Sequence, residues 1–392
     1  QQACVMAITP KISSRSDVPP FRVMDVMADA ARLEAQGRHI IHMEVGEPGL
    51  PTPEEALAIG RAAMEAGDTG YTLALGRDSL RERIARQYGE VYRLDIAPAR
   101  IIITTGSSAA FTLAFLACFD EGDQVAISRP GYPAYGRIMK ALGLAPLDIY
   151  TGPNTGFQPT EAHLADADDL AGLLVASPSN PTGSVIHPDR MAVLGQACAE
   201  RGIRLISDEI YHRMTFDAPA ATALAVNDDA VIINSFSKYY CMTGWRIGWM
   251  VVPENLVRPI ERLTQNFFIS PPTISQVVAE ATFDCEDVLD DRVDIYAANR
   301  DIIMSALADC GVENIAPADG AFYLYADMSA FTADSQQFCT DMLEGAGVAA
   351  VTGLDFDERD GHRFVRFSLA GSTADMEEAA RRLRAWLPGQ RL

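Results

Sequence analysis

Between about positions 70 and 250, apolar residues fall into short runs separated by stretches of helical spacing. RIIITTG (100–106), QVAISRPG (124–131), GLLVASPSNPTG (172–183), IRLISDE (203–209), AVIINSFS (230–237) and IGWMVVP (247–253) predict strands, each running into turn residues. SSAAFTLAFLACF (107–119) and PDRMAVLGQACAERG (188–202) predict helices between them. Near-continuous apolar strands alternating with helices predict a mainly parallel sheet covered on both faces, a three-layer α/β/α arrangement of the α/β class. In such sheets ligands sit beyond the C-terminal strand ends, where loops converge. The tails TTGSS, RPGYP, SPSNPTG, DEIYH and SFSK are therefore expected around one pocket.

The pattern changes at both ends of the chain. FRVMDVMADAARLEAQG (21–37) predicts a helix, and HIIHMEVGEPG (39–49) an extended piece that breaks at Gly46 and Pro48. Beyond residue 290 a long helical stretch, VLDDRVDIYAANRDIIMSALADCG (288–311), leads into a mixed tail with strands near AFYLYADM and HRFVRFSL. The expected organisation is an N-terminal arm and part of a smaller domain in 1–45, a large domain in 46–290, and a small α+β C-terminal domain in 291–392.

Charge narrows the function. The formal net charge is −21, which repels phosphate, so nucleic acid and anionic membrane surfaces are not expected partners. The longest nearly apolar run, Phe111 to Phe119, is too short to span a bilayer, and Gln1 to Pro10 lacks the features of a signal peptide. Seven scattered cysteines, Cys4 among them, with no CxxC spacing suit a reducing compartment, so the expected location is cytoplasmic. No His or Cys spacing suggests a metal site.

Only three of the 32 basic residues, Lys11, Lys140 and Lys238, are lysines. Lys238 ends an apolar strand in SFSKYYCMTGWRIGW, with Ser235, Ser237 and Arg246 nearby. A lysine that forms a Schiff base needs a partly desolvated neutral amine. An aldehyde cofactor with a phosphate tail also needs hydroxyl and guanidinium groups beside it. Asp208, after the strand IRLIS, suits a protonated pyridine nitrogen as well as it suits a helix cap. Gly106, Ser107 and Ser108 open a helix, where free N–H groups seat either a phosphate or nothing more than a cap. Ser177 to Gly183, SPSNPTG, reads by itself as an ordinary turn.

Together these pieces resemble the fold-type I, class I/II aminotransferases, the aspartate aminotransferase-like family, over nearly the whole chain. The resemblance rests on the order and spacing of Gly46-Glu47-Pro48, Tyr71…Gly76…Leu80-Arg81, Pro130-Gly131-Tyr132-Pro133, SNPTG, DEIY, SFSK…GWRIG and Arg366 in VRFSLAG. It implies a pyridoxal 5′-phosphate (PLP) enzyme with Lys238 as the Schiff-base lysine and Asp208 as partner of the ring nitrogen. It implies Asn180 and Tyr211 at the phenolic oxygen, Tyr132 stacked on the ring, and Gly106, Ser107, Ser108, Ser235, Ser237 and Arg246 around the phosphate. Tyr71 is similar to the tyrosine that reaches the neighbouring subunit's phosphate, which implies a homodimer with shared sites. Arg366, with Gly46 and Asn180, matches the holder of the substrate α-carboxylate. The implied substrates are an L-amino acid and a 2-oxo acid.

Ser108 stands where an aspartate-specific branch carries a lysine, and the stretch Val18-Pro19-Pro20-Phe21 that would roof the pocket is mostly apolar. A neutral or aromatic donor, paired with glutamate or 2-oxoglutarate, is therefore expected, with Arg22 the one nearby cation for an acidic side chain. Gly49-Leu50 replaces an Asp-Phe pair common in relatives. A PLP lyase of the C–S β-lyase type would use the same lysine. A PLP-binding transcription regulator would need a DNA-binding module for which some 45 residues leave little room.

Overall fold

The computed structural model describes residues 10–165, 167, 169–217 and 219–392. The start of the chain that was read for a signal peptide, with Cys4, lies in 1–9, outside the described residues. Twelve strands form among the described residues: β1 (Ile41–His42), β2 (Ile101–Thr104), β3 (Gln124–Arg129), β4 (Ala145–Tyr150), β5 (Leu170–Ala176), β6 (Arg204–Asp208), β7 (Val231–Ser235), β8 (Gly248–Val251), β9 (Tyr323–Asp327), β10 (Val348–Ala349), β11 (Val351–Thr352) and β12 (Phe364–Ser368).

Seven of them make the central sheet, ordered β2-β8-β7-β6-β5-β3-β4, in which β8 alone runs against its neighbours. The strand period of two sends alternate side chains into opposite layers. Ile101, Ile103, Leu173, Val175, Ile232 and Trp249 join one core, while Ile102, Val125, Ile127, Leu174, Ile233 and Met250 join the other. Burial on both faces is why these strands read as unbroken apolar runs. The chain thus has the expected α/β fold with a mainly parallel sheet. The strand β4 escapes that pattern. It sits at the sheet edge with only Ile149 buried, so APLDIY offers no apolar run to detect.

The apolar run Phe111–Phe119 belongs mostly to the helix Gly106–Cys118, which buries Ala109, Ala110, Phe111, Leu113, Ala114 and Phe115 under the sheet. A helix apolar on every side needs such cover. No helix among the described residues is long and apolar enough to cross a membrane.

The two chain ends meet in smaller sheets. The strands β11, β12 and β9 pair antiparallel, and β1 lies parallel to β10. The helices Glu286–Asp309 and Thr373–Trp386 pack together beside them, the first running without a break through residue 290. The helix expected at the N-terminus forms over Val23–Glu34.

Candidate active site

A cavity of about 420 Å³ lies where strand tails of the central sheet face the segments from the chain ends. Lys238 enters it three residues beyond β7. Its Nζ donates to the Gly46 carbonyl at 2.5 Å and stands 5.9 Å from the ring centres of Tyr211 and Phe322. Burial first, and the positive charge of Arg366 next, push its ammonium down to about 8. A sizeable fraction of the amine is thus neutral near physiological pH.

Asp208 closes β6 and is 2% exposed. Its Oδ1 accepts the Ile210 N–H at 3.1 Å, and its Oδ2 accepts a short hydrogen bond from the Tyr135 hydroxyl. No cation pairs with it among the described residues, and burial raises its carboxyl to about 6.

Arg366, on β12, faces the sheet from the other side. Its Nη1 donates to Asn180 Oδ1 at 3.0 Å and its Nη2 to the Glu44 carbonyl at 2.6 Å, while Nε is buried without a partner. The guanidinium lies 4.4 Å from the Tyr323 ring centre and 4.9 Å from that of Phe356. It is 5% exposed, yet no carboxylate pairs with it among the described residues. A buried cation held only by neutral acceptors costs several kcal/mol until an anion arrives, on the order of magnitude typical of lone buried charges.

At one edge of the cavity the Gly106–Cys118 helix presents its N-terminus. Thr105, the capping position, supplies no side-chain acceptor, so the first amide donors stay free. Gly106 has φ +72°, and a Cβ there would stand 2.4 Å from Arg246 Nη2. Glycine thereby lets the guanidinium close against the helix start. Arg246 donates through Nη1 to the Thr243 carbonyl at 2.9 Å.

Of the residues singled out from the sequence, Gly46, Ser107, Ser108, Tyr132, Asn180, Asp208, Tyr211, Ser237, Lys238, Arg246 and Arg366 line this one cavity. Gly106 stands directly behind Arg246. Ser235 is buried beside the cavity and is not among its lining residues. Its Oγ accepts the Ser237 N–H at 3.1 Å and reaches the Ile247 carbonyl at 3.4 Å, so it shapes the turn that presents Lys238. Tyr71 is 83% exposed and lies outside the cavity of its own chain. Arg22 also stays outside, its guanidinium turned to Gln336.

Sequence reading missed Tyr135, Tyr323, Phe111, Phe356 and Asp355, all of which line the site. The Tyr323 hydroxyl lies 3.0 Å from that of Tyr211. The one available signal was Tyr135, three residues after Tyr132, whose ring packs against it with centres 5.4 Å apart. Among the described residues no group of three or more His, Cys, Asp or Glu is placed to hold a metal.

Comparison with known proteins gives the family. The family model described as aminotransferase class I and II matches residues 38–383. A valine–pyruvate aminotransferase of Mycobacterium tuberculosis is 45% identical over 98% of this chain and 100% of its own length. A (5-formylfuran-3-yl)methyl phosphate transaminase of Methanocaldococcus jannaschii is 33% identical over 94% of this chain and 96% of its own. Among solved structures, an aminotransferase from Mycobacterium tuberculosis superposes with a TM-score of 0.95 at 45% identity, covering 97% of this chain and 100% of that one. Aspartate aminotransferase from Thermus thermophilus with maleate reaches 0.90 at 29% identity, over 96% and 100%. The chain belongs to the class I and II aminotransferases, enzymes that move an amino group between an amino acid and a 2-oxo acid.

Proposed function

We propose that this enzyme transfers the amino group of a neutral, apolar L-amino acid to a small 2-oxo acid, using PLP held by Lys238. The observation that carries the reading is Arg366, a buried guanidinium without a carboxylate partner, facing the same cavity as Lys238 and Asp208. The rest of the cavity wall is largely apolar: Phe21, Val23, Met27, Phe111, Val351 and Phe356. The name of the Mycobacterium tuberculosis relative, with valine and pyruvate in it, supports the same substrate class. It favours a small oxo acid over the glutamate or 2-oxoglutarate expected from sequence, since neither Arg22 nor Arg137 lines the cavity. Arg22 points away, and Arg137 is paired with Asp355.

The class I and II aminotransferases use PLP, and the residues present fit it. Asp208 is a buried carboxylate in need of a cation, which a protonated ring nitrogen supplies. The open helix start at Gly106 to Ser108, with Ser237 and Arg246, offers amide, hydroxyl and guanidinium donors for a phosphate. Tyr132 has an aromatic face for the ring, and Asn180 and Tyr211 have donors for its phenolic oxygen. When bound, PLP supplies an electron sink for the bond broken at the substrate Cα.

Arg366 and Asn180 orient the substrate through its α-carboxylate. Lys238, with an amine lowered to about 8, would take the substrate Cα proton on Nζ as general base, and the resulting ammonium would give that proton up as general acid. Asp208, once ionised, would hold the proton of a bound pyridine nitrogen. Tyr323 positions the Tyr211 hydroxyl.

Stopped donor assays with the holoenzyme and pyruvate test the reading. Valine, isoleucine, phenylalanine, aspartate and glutamate are offered in turn, following loss of the yellow cofactor band and formation of alanine. Apolar donors should bleach the band and aspartate should not. Ammonia release without any oxo acid would move the reaction to a lyase instead.

A further inference from the structure

The cavity roof is tied down by a carboxylate from the far end of the chain. The helix Val23–Glu34 brings Val23 and Met27 into the cavity, with Phe21 just before it. Its capping position, Arg22, provides no side-chain cap. Asp355 does the work instead: Oδ1 accepts the Arg22 N–H at 3.1 Å and Oδ2 the Val23 N–H at 3.2 Å. Donors that a helix start leaves open are thereby satisfied.

Behind Asp355 stands Arg137, on the helix Ala134–Leu142. Its Nη2 lies 3.6 Å from Asp355 Oδ1, its Cζ 4.6 Å from the Phe21 ring centre, and its Nη1 is buried without a partner among the described residues. Arg137 does not line the active-site cavity. It lines an adjoining groove, and Asp355, Phe356 and Pro133 form the wall shared by the two. A cation with an unused donor thus sits one carboxylate away from the substrate's side-chain space.

We propose that Asp355 is a specificity-determining residue: it fixes the apolar roof and occupies Arg137, so that a substrate with a second carboxylate meets a negative wall instead of a free guanidinium. The proposal rests on the reading of Arg366 as the α-carboxylate holder and of the cavity as a neutral side-chain pocket. Two carboxylates at close range repel, whereas an unoccupied arginine binds one through paired hydrogen bonds. Removing the charge of Asp355 therefore reverses two contributions at once.

Asp355→Asn keeps the size of the side chain and one acceptor for the helix start. Binding of two unreactive anions, 3-methylbutanoate and succinate, to the holoenzyme is measured by titration calorimetry. The wild-type enzyme should prefer 3-methylbutanoate. In Asp355→Asn, succinate should bind at least about tenfold more tightly, the scale of one added charge-assisted hydrogen bond. Adding Arg137→Gln should remove that gain. Asp355→Ser, whose hydroxyl also caps a helix, is measured alongside and stands in if the amide disturbs folding. Unchanged succinate binding in variants that still bind 3-methylbutanoate would overturn the inference, as would a gain that survives Arg137→Gln. A wild-type enzyme that binds succinate the more tightly overturns the neutral-pocket reading itself, and the inference with it.

Discussion

Asp208 is a liability in the cofactor-free protein. Its carboxyl is raised from an ordinary 3.8 to about 6 by burial, so the folded chain holds that proton more tightly than the unfolded chain does. The sign follows: the penalty is absent below pH ~4, grows as pH rises, and is complete above pH ~6. Asp208→Asn carries no charge to bury. Denaturant titrations of the cofactor-free protein should find this variant more stable at pH 8, by up to about 3 kcal/mol for a two-unit shift. The gain should shrink as pH approaches 4, while turnover of the loaded enzyme falls about a hundredfold. Equal stabilities at both pH values would mean that the carboxylate finds a partner at the site. Asn180 sits in a stretch that reads by itself as a turn and stands out only through the family resemblance, whereas Lys238, Asp208 and Arg366 are legible because each breaks an apolar strand or its tail with a residue of distinctive chemistry. Tyr323 is not. It shares one face of β9 with Tyr325, two positions on, and only neighbours decide that Tyr323 reaches the cavity while Tyr325 stacks on Phe364, ring centres 4.6 Å apart.

At the level of elements, the apolar runs that announce the central strands do so because two cores compress them, and the half-exposed β4 stays silent for the converse reason. The segment HIIHMEVGEPG was read as extended, but only Ile41–His42 pairs as a strand. Its later carbonyls serve the site instead, Glu44 toward Arg366 and Gly46 toward Lys238. A pattern of side chains cannot reveal such backbone duties. Gly49 belongs to the same stretch, and a Cβ there would clash with the Ala370 carbonyl oxygen. Gly49→Ala should therefore lower stability by about 1–3 kcal/mol through overpacking, read from the denaturation midpoint. A neutral result would show that the 369–371 segment yields freely.

For the whole molecule, the exposed apolar side chains Ile59, Met64, Tyr71, Leu73, Phe267 and Ile269 come from two neighbouring stretches. Gln276 ties them by donating to Thr72 Oγ1 at 3.1 Å. A groove lined by Leu57, Trp245 and Thr243 borders this region, and Thr243 also lines the active-site cavity. Apolar surface of this kind marks an interface, and a second copy of the chain is the proposed occupant. Sedimentation should give the mass of two chains. Leu73→Asp should give single chains that stay folded and hold the cofactor more weakly, because Tyr71 no longer reaches a neighbour. A monomeric wild-type enzyme with full cofactor affinity would refute the shared site.

The enclosure of Lys238 also bears on handling the enzyme. Besides Lys238 the chain has two lysines, Lys11 and Lys140, both exposed. In the PLP-loaded enzyme, where Lys238 would be held as a Schiff base, amine-directed coupling to a dye or a solid support should therefore attach at Lys11, Lys140 and the α-amine and spare the site.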